Sequence, residues 1–91
     1  MSTHVGLTSD ITGNIGVTLV TDTATHTPAS PHTTWYRFVP LQNSVIATLT
    51  ASGMDGNATT AITINNGNWL ECPGCTSFKL TSGSGILYYA L

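Results

Sequence analysis

Few side chains in this sequence can do chemistry, and the most closely spaced pair is Cys72 and Cys75 in "WLECPGCTSF". A Cys-X-X-Cys pair is a redox centre when it sits at a helix N-terminus that lowers a thiol pKa. Nothing after Cys75 reads as a helix, and "TSFKLT" reads as a strand. The same pair is half a zinc site when further ligands complete a set of about four. The histidines are His4, His26 and His32, and their spacing does not complete one. The remaining use is structural. Pro73 and Gly74 are the residue types that the centre of a type II turn asks for, and such a turn holds its ends within ~7 Å. Disulfides span ~4.4–6.8 Å between Cα atoms, so Cys72 and Cys75 can close a bridge. A loop this small gains only about 2 kcal/mol from closure. The stretch therefore reads as a hairpin turn clamped by its cysteines, reduced in a cytoplasm and open to oxidation after release.

Acid–base chemistry has less to work with. The carboxylates are Asp10, Asp22, Asp55 and Glu71. Asp10 and Asp55 fall in turn segments, where Asp serves turn geometry. No pair can be argued onto one face, and no nucleophile elbow, phosphate loop or HExxH is present. The chain reads as a non-enzyme with no cofactor, no metal and no small-molecule substrate. The aromatics Trp35, Tyr36, Trp69, Tyr88 and Tyr89 remain. On one exposed sheet face they could stack on sugars, Trp35 and Trp69 above all. In a domain this small, aromatics more often fill the core or an interface.

The elements that would carry these residues follow from composition. Charged residues are 7% of the chain, against about 25% in ordinary domains. Net charge is −2, so there is no electrostatic footprint for nucleic acid or an acidic membrane. Hydrophobic residues are 41%, enough to fold, and 17 Thr with 8 Ser supply an uncharged polar surface. Ninety-one residues make a single domain with a marginal core, which partner subunits would supplement. No apolar run reaches the ~18 residues of a membrane span. "MSTHVGLTSD" lacks the marks of a secretory leader, which fits assembly in a cytoplasm.

Helix formers are scarce and strand signals recur about every 8–12 residues. "HVGLT" (4–8) is a short strand or an arm, and "SDITGN" (9–14) a turn. "IGVTLVT" (15–21) sets Ile15, Val17 and Leu19 on one face, Gly16, Thr18 and Val20 on the other. "WYRFVPL" (35–41) opposes Trp35, Arg37 and Val39 to Tyr36 and Phe38. "SVIATLTAS" (44–52) opposes Val45, Ala47, Leu49 and Ala51 to Ile46, Thr48, Thr50 and Ser52. "ATTAITI" (58–64), "NWLEC" (68–72), "CTSFKLT" (75–81) and "GILYYAL" (85–91) follow, parted by "NNG", "PG" and "SGSG". The expected fold is all-β: a small antiparallel β-sandwich or jelly-roll-like domain of seven or eight short strands, residues 1–91. Segment 22–34 has no large apolar residue and reads as an exposed loop or extended arm carrying His26, Pro28, Pro31 and His32. The apolar end makes Tyr88, Tyr89 and Leu91 candidates for a subunit interface.

"AITINNGNWLECPGCTSFKLTSGSGILYYAL", the last third, resembles the endings of small bacteriophage structural proteins. In those, a Gly-containing turn leads into a terminal Gly-Ile-x-Ala-Leu-Tyr-like strand, after a strand with a hydrophobic–basic–hydrophobic unit. The matching residues are Asn66-Gly67, Phe78-Lys79-Leu80, the "SGSG" turn and Gly85 to Leu91. "CPGC" is not part of that pattern, and the final Tyr-Ala-Leu departs from its order. The resemblance implies a virion component: a capsid cement (decoration) protein, or a spike-base or tail component. A cement protein of this kind would sit on the capsid surface as a homotrimer clamping major capsid subunits, with segment 22–34 or the N-terminal residues reaching to the shell. The rival expectation is a tail or adhesin module that binds carbohydrate through Trp35 or Trp69.

Overall fold

The computed structural model describes residues 16–55 and 60–90. "HVGLT", "SDITGN" and Leu91 lie outside the described residues. Six strands are present among those described: β1 (Val17–Val20), β2 (Trp35–Pro40), β3 (Ser44–Ala51), β4 (Thr60–Ile64), β5 (Leu70–Ser82) and β6 (Gly85–Tyr89). They form one antiparallel sheet in the order β1-β6-β2-β5-β3-β4. The count falls short of the expected seven or eight, partly because "NWLEC" and "CTSFKLT" are not two strands. They are one 13-residue strand that runs through Pro73-Gly74.

The hairpin turn expected at "CPGC" is therefore a corner inside a strand. Before it, β5 pairs with β2 (Phe38↔Leu70, Arg37↔Glu71). After it, β5 pairs with β3 (Leu49↔Phe78, Val45↔Ser82). Cys75 is the pivot, partnered by Trp35 on one side and Ala51 on the other. Along a straight β5 the levels of Pro40 and Val45 would stand roughly 45 Å apart at ~3.3 Å per residue. The chain from Pro40 to Val45 reaches at most about 18 Å. So β5 folds back on itself, and the sheet is doubled over. One half holds β1, β6, β2 and the start of β5; the other holds the rest of β5, β3 and β4.

Bulges make this bend, and burial records them. Alternation puts residues i and i+3 on opposite faces of a regular strand. Here Trp35 and Phe38, Ile46 and Leu49, Cys72 and Cys75, and Cys75 and Phe78 are all buried pairs at that spacing. Each spans a register shift in the ladders. An inserted residue returns the side chain to the same face and sharpens the twist. This is why the strict alternation expected for 44–52 fails: Ile46 and Leu49 share the core. Between the halves, the Phe38 and Phe78 rings meet at 4.8 Å, with Val20, Trp35, Leu80, Leu87 and Tyr89 in the same cluster. Phe38 lies over Gly85, where any Cβ would strike its ring.

Segment 21–34 is folded down and ties the halves together. His26 exchanges both backbone hydrogen bonds with Phe78 (2.8 and 3.1 Å) on the edge of β5 that β2 has left. The Ala29 N–H donates to the Tyr89 hydroxyl at 3.1 Å, and the His32 ring stacks on Tyr89 at 4.0 Å. The expected extended arm is thus a strap. It lacks large apolar residues because its backbone, at His26 and Ala29, and the His32 imidazole do the anchoring.

A candidate interaction surface

The cysteines sit in the corner of β5. Both are buried free thiols in the core between the halves. Gly74 takes φ +74° there, and the N–H groups of Gly53 and Ser52 donate to the carbonyls of Pro73 (2.9 Å) and Gly74 (3.2 Å). Proline suits such a place because a bulge relieves it of donating to the ladder. The hydrogen bond with Cys75, and then burial, push the Cys72 thiol well above the ordinary thiol range, and the same bond lowers the Cys75 thiol against the opposing effect of burial. Cys72, held protonated, is a poor nucleophile and a poor metal ligand. Among the described residues no group of three or more His, Cys, Asp or Glu could hold a metal.

Of the expected interface residues, Tyr89 is corrected. It points into the core, where its hydroxyl accepts from Thr18 Oγ1 at 2.8 Å and from Ala29, while Trp35 Nε1 donates to Thr18 Oγ1 at 3.1 Å. Trp35 is 0% exposed, so it is corrected as a sugar platform; Trp69 is 57% exposed. Of the expected arm, His26 and His32 are half-buried on the protein's own body, Pro28 is half-buried, and only Pro31 is exposed. The His26 ring is also held by Asp22, at 2.7 Å.

Tyr88 leads to the surface that sequence reasoning did not assemble. Direct partners in an antiparallel ladder share a face. The registers give one row Val17–Tyr88–Arg37–Glu71 and a second Leu19–Ile86–Val39, both on the side away from the core. Val17 is 49% and Leu19 58% exposed, and Trp69 adjoins at the start of β5. The outer side of the other half is different in kind: Thr48 is paired with Lys79 and Thr60, and Thr50 with Ser77. One outer surface is thus apolar and the other is a threonine lawn.

The centre of the apolar surface is Arg37. Its Nε donates to Glu71 Oε2 at 2.7 Å. Its guanidinium carbon lies 5.4 Å from the Tyr36 ring centroid and 5.6 Å from that of Trp69. Tyr36 in turn packs against Tyr88 with centroids 6.2 Å apart. Trp, Tyr and Arg are the residue types that dominate binding hot spots. The signal was present in the sequence as the alternation of Val17 with Leu19. Alternation defines two faces, and only the register decides which one turns inward. Here Thr18 and Val20 do.

No known family matches this chain, and neither a curated protein nor a solved structure similar to it was found.

Proposed function

We propose that this chain is a non-enzymatic structural protein of a bacteriophage particle, a capsid cement that holds to copies of itself and to the major capsid protein. It would assemble in the bacterial cytoplasm and end on the capsid surface. The observation that carries the reading is the division of the outer surface. Val17, Leu19, Ile86, Tyr88 and Val39 gather on one half, and the outer side of the other half is mostly Thr and Ser, with Val45 and Lys79 half-buried among them. The largest apolar patch on a monomer's surface is often its functional one. The doubled sheet also suits the jelly-roll-like sandwich that belongs to this reading, with β5 as the strand that turns the corner between layers. The resemblance implies a trimer; what the fold supports is apolar contact between subunits.

The test is reconstitution. Purified protein is added to bacteriophage shells built from the major capsid protein alone, taken from the phage that carries this chain, and the mixture is sedimented. Stoichiometric co-sedimentation and a raised melting temperature of the shells are expected. Shells that remain bare at saturating protein would sink the reading.

One observation favours a second reading, a carbohydrate-binding tail or adhesin module. Trp69 stands exposed beside the Arg37–Glu71 pair, an aromatic face next to hydrogen-bonding groups. A glycan array comparing the protein with Trp69→Ala separates the two: saccharide binding lost in the variant, with no shell binding, selects the module.

A further inference from the structure

We propose that the end of the molecule built by three turns, 41–43, 65–69 and 83–84, is a binding site for a neutral hexopyranose, with the Trp69 indole as its stacking platform and the Gln42 and Asn68 carboxamides as partners for the sugar hydroxyls. The inference rests on the carbohydrate reading of Trp69 and gives it a location and a sugar class. It does not depend on shell binding.

The registers bring the turns together. Ser44 pairs with Ile64 and Val45 with Ser82, while Pro40 pairs with Gly85 and Phe38 with Leu70. The β2–β3, β4–β5 and β5–β6 turns therefore meet at one end, opposite the Pro73-Gly74 corner. Hydrogen bonds lock them. The Asn66 N–H donates to Asn43 Oδ1 at 2.7 Å, Gln42 Nε2 to Ser84 Oγ at 3.3 Å, and the Leu41 N–H to the Ser84 carbonyl at 2.9 Å. Trp69 ends the 65–69 turn one step beyond the Phe38↔Leu70 pair, and the Arg37 guanidinium carbon lies 5.6 Å from its ring centroid.

The carboxamides are not spread evenly. Asn14 and Asn57 lie outside the described residues, and the other five, Gln42, Asn43, Asn65, Asn66 and Asn68, are all at this end and all exposed. Segment 52–55, at the other end, has none. Turn geometry accounts for part of the cluster. Asn66 precedes Gly67 in a turn closed by the Asn68 N–H on the Asn65 carbonyl at 3.0 Å, and Asn43 holds the backbone of that turn. The turns ask nothing of the Asn68 side chain, and Gln42 keeps its amide oxygen after bonding Ser84.

Chemistry selects the ligand. A carboxamide donates and accepts at once, as a sugar hydroxyl requires of its partner. An exposed indole takes the C–H face of a pyranose against its electron-rich ring. The three turns carry no charge, and Arg37 is committed to Glu71 at 2.7 Å. Phosphate, carboxylate and ammonium groups therefore find no free counter-charge. An extended peptide needs an open strand edge, and Trp69 stands over β5 and β2, which are interior strands. A wholly apolar ligand would strip water from the amides and give no hydrogen bond in return. One indole and two amides should hold a single hexose weakly, at about millimolar. Copies set side by side would gain a factor of ~10²–10⁴ by avidity.

The experiment is an NMR titration of the isotope-labelled full chain with the methyl glycosides of glucose, galactose, mannose and N-acetylglucosamine, and with sialic acid as the charged comparison. Thermal melts confirm that each variant folds. A neutral glycoside is expected to shift the Trp69 indole N–H and the side-chain amide signals of Gln42 and Asn68, and to leave the indole N–H of buried Trp35 in place. Trp69→Ala should weaken binding by about tenfold or more, and Gln42→Ala and Asn68→Ala by roughly threefold each. Binding lost in Trp69→Ala but unchanged in Gln42→Ala and Asn68→Ala would overturn the three-turn site and leave the Trp69 reading standing. A preference for sialic acid would overturn the neutral class alone. Absence of a saturable shift with every glycoside would overturn both the site and the carbohydrate reading.

Discussion

Gly74 is the residue on which the corner of β5 turns, and its requirement is twofold. Its φ of +74° lies in the left-handed region, and a Cβ there would strike the Ser52 hydroxyl. Gly67 provides an internal control. Its φ is +97°, yet a Cβ at that position meets nothing within 4 Å. Gly67→Ala should therefore show the backbone term alone, roughly 1–2 kcal/mol. Gly74→Ala should lose clearly more, and Ser52→Ala combined with it should recover the excess but not the backbone term. Urea unfolding of the four proteins checks this. Equal losses at Gly67 and Gly74 would mean that the corner is not packed as described. The cysteines beside Gly74 then need no activity to account for them: they are small, apolar-tolerant residues filling the inside of a bend.

At the scale of elements, the strap over residues 21–34 is the piece that sequence reasoning read least well. The absence of large apolar residues was legible, and it suggested an arm. What could not be read was that His26 would find an unpaired strand edge, because that edge exists only once β5 has turned away from β2. The strands were legible, since alternation and Asn-Gly or Gly-containing turns are local signals. The bulges were not, because an inserted residue is recorded in the partner strand's register rather than in its own composition. Val17 and Leu19 show the same limit: their alternation was visible, but not their outward direction. The strap also carries a pH dependence. The hydrogen bond with His26, and then that from the Ala24 N–H, hold the Asp22 carboxyl below the usual carboxylate range. A group whose folded pKa is lowered favours the folded state in its ionised form. Its contribution is complete above the unfolded value near ~3.9 and vanishes as pH falls through the lower folded value. Asp22 is exposed, so the effect is small and salt-sensitive. Melting temperature should fall more steeply below about pH 4 in wild type than in Asp22→Asn. Parallel profiles would show that the Asp22–His26 contact does not hold the strap.

For the whole molecule, the doubled sheet makes its stability a single event. The halves share one core, and Cys75 sits where β2, β5 and β3 all meet. A corner of this kind cannot open by fraying, because the strap closes one side and the Ser52 and Gly53 N–H groups close another. Cys72 and Cys75 are both 0% exposed and so serve as reporters. A thiol reagent should reach them only when the halves separate. Labelling at fixed pH should then accelerate with urea along the same slope as global unfolding, even at low denaturant. Cys72→Ser and Cys75→Ser, each retaining one thiol, should share that urea slope, because one opening exposes both positions. Fast labelling that ignores low urea would instead mean that the corner opens locally. The same measurement bears on oxidation: a Cys72–Cys75 bridge could form in the folded protein only if such local opening occurs. If opening is global, a disulfide could be set only before folding, and the two thiols would stay reduced for as long as the chain stays folded.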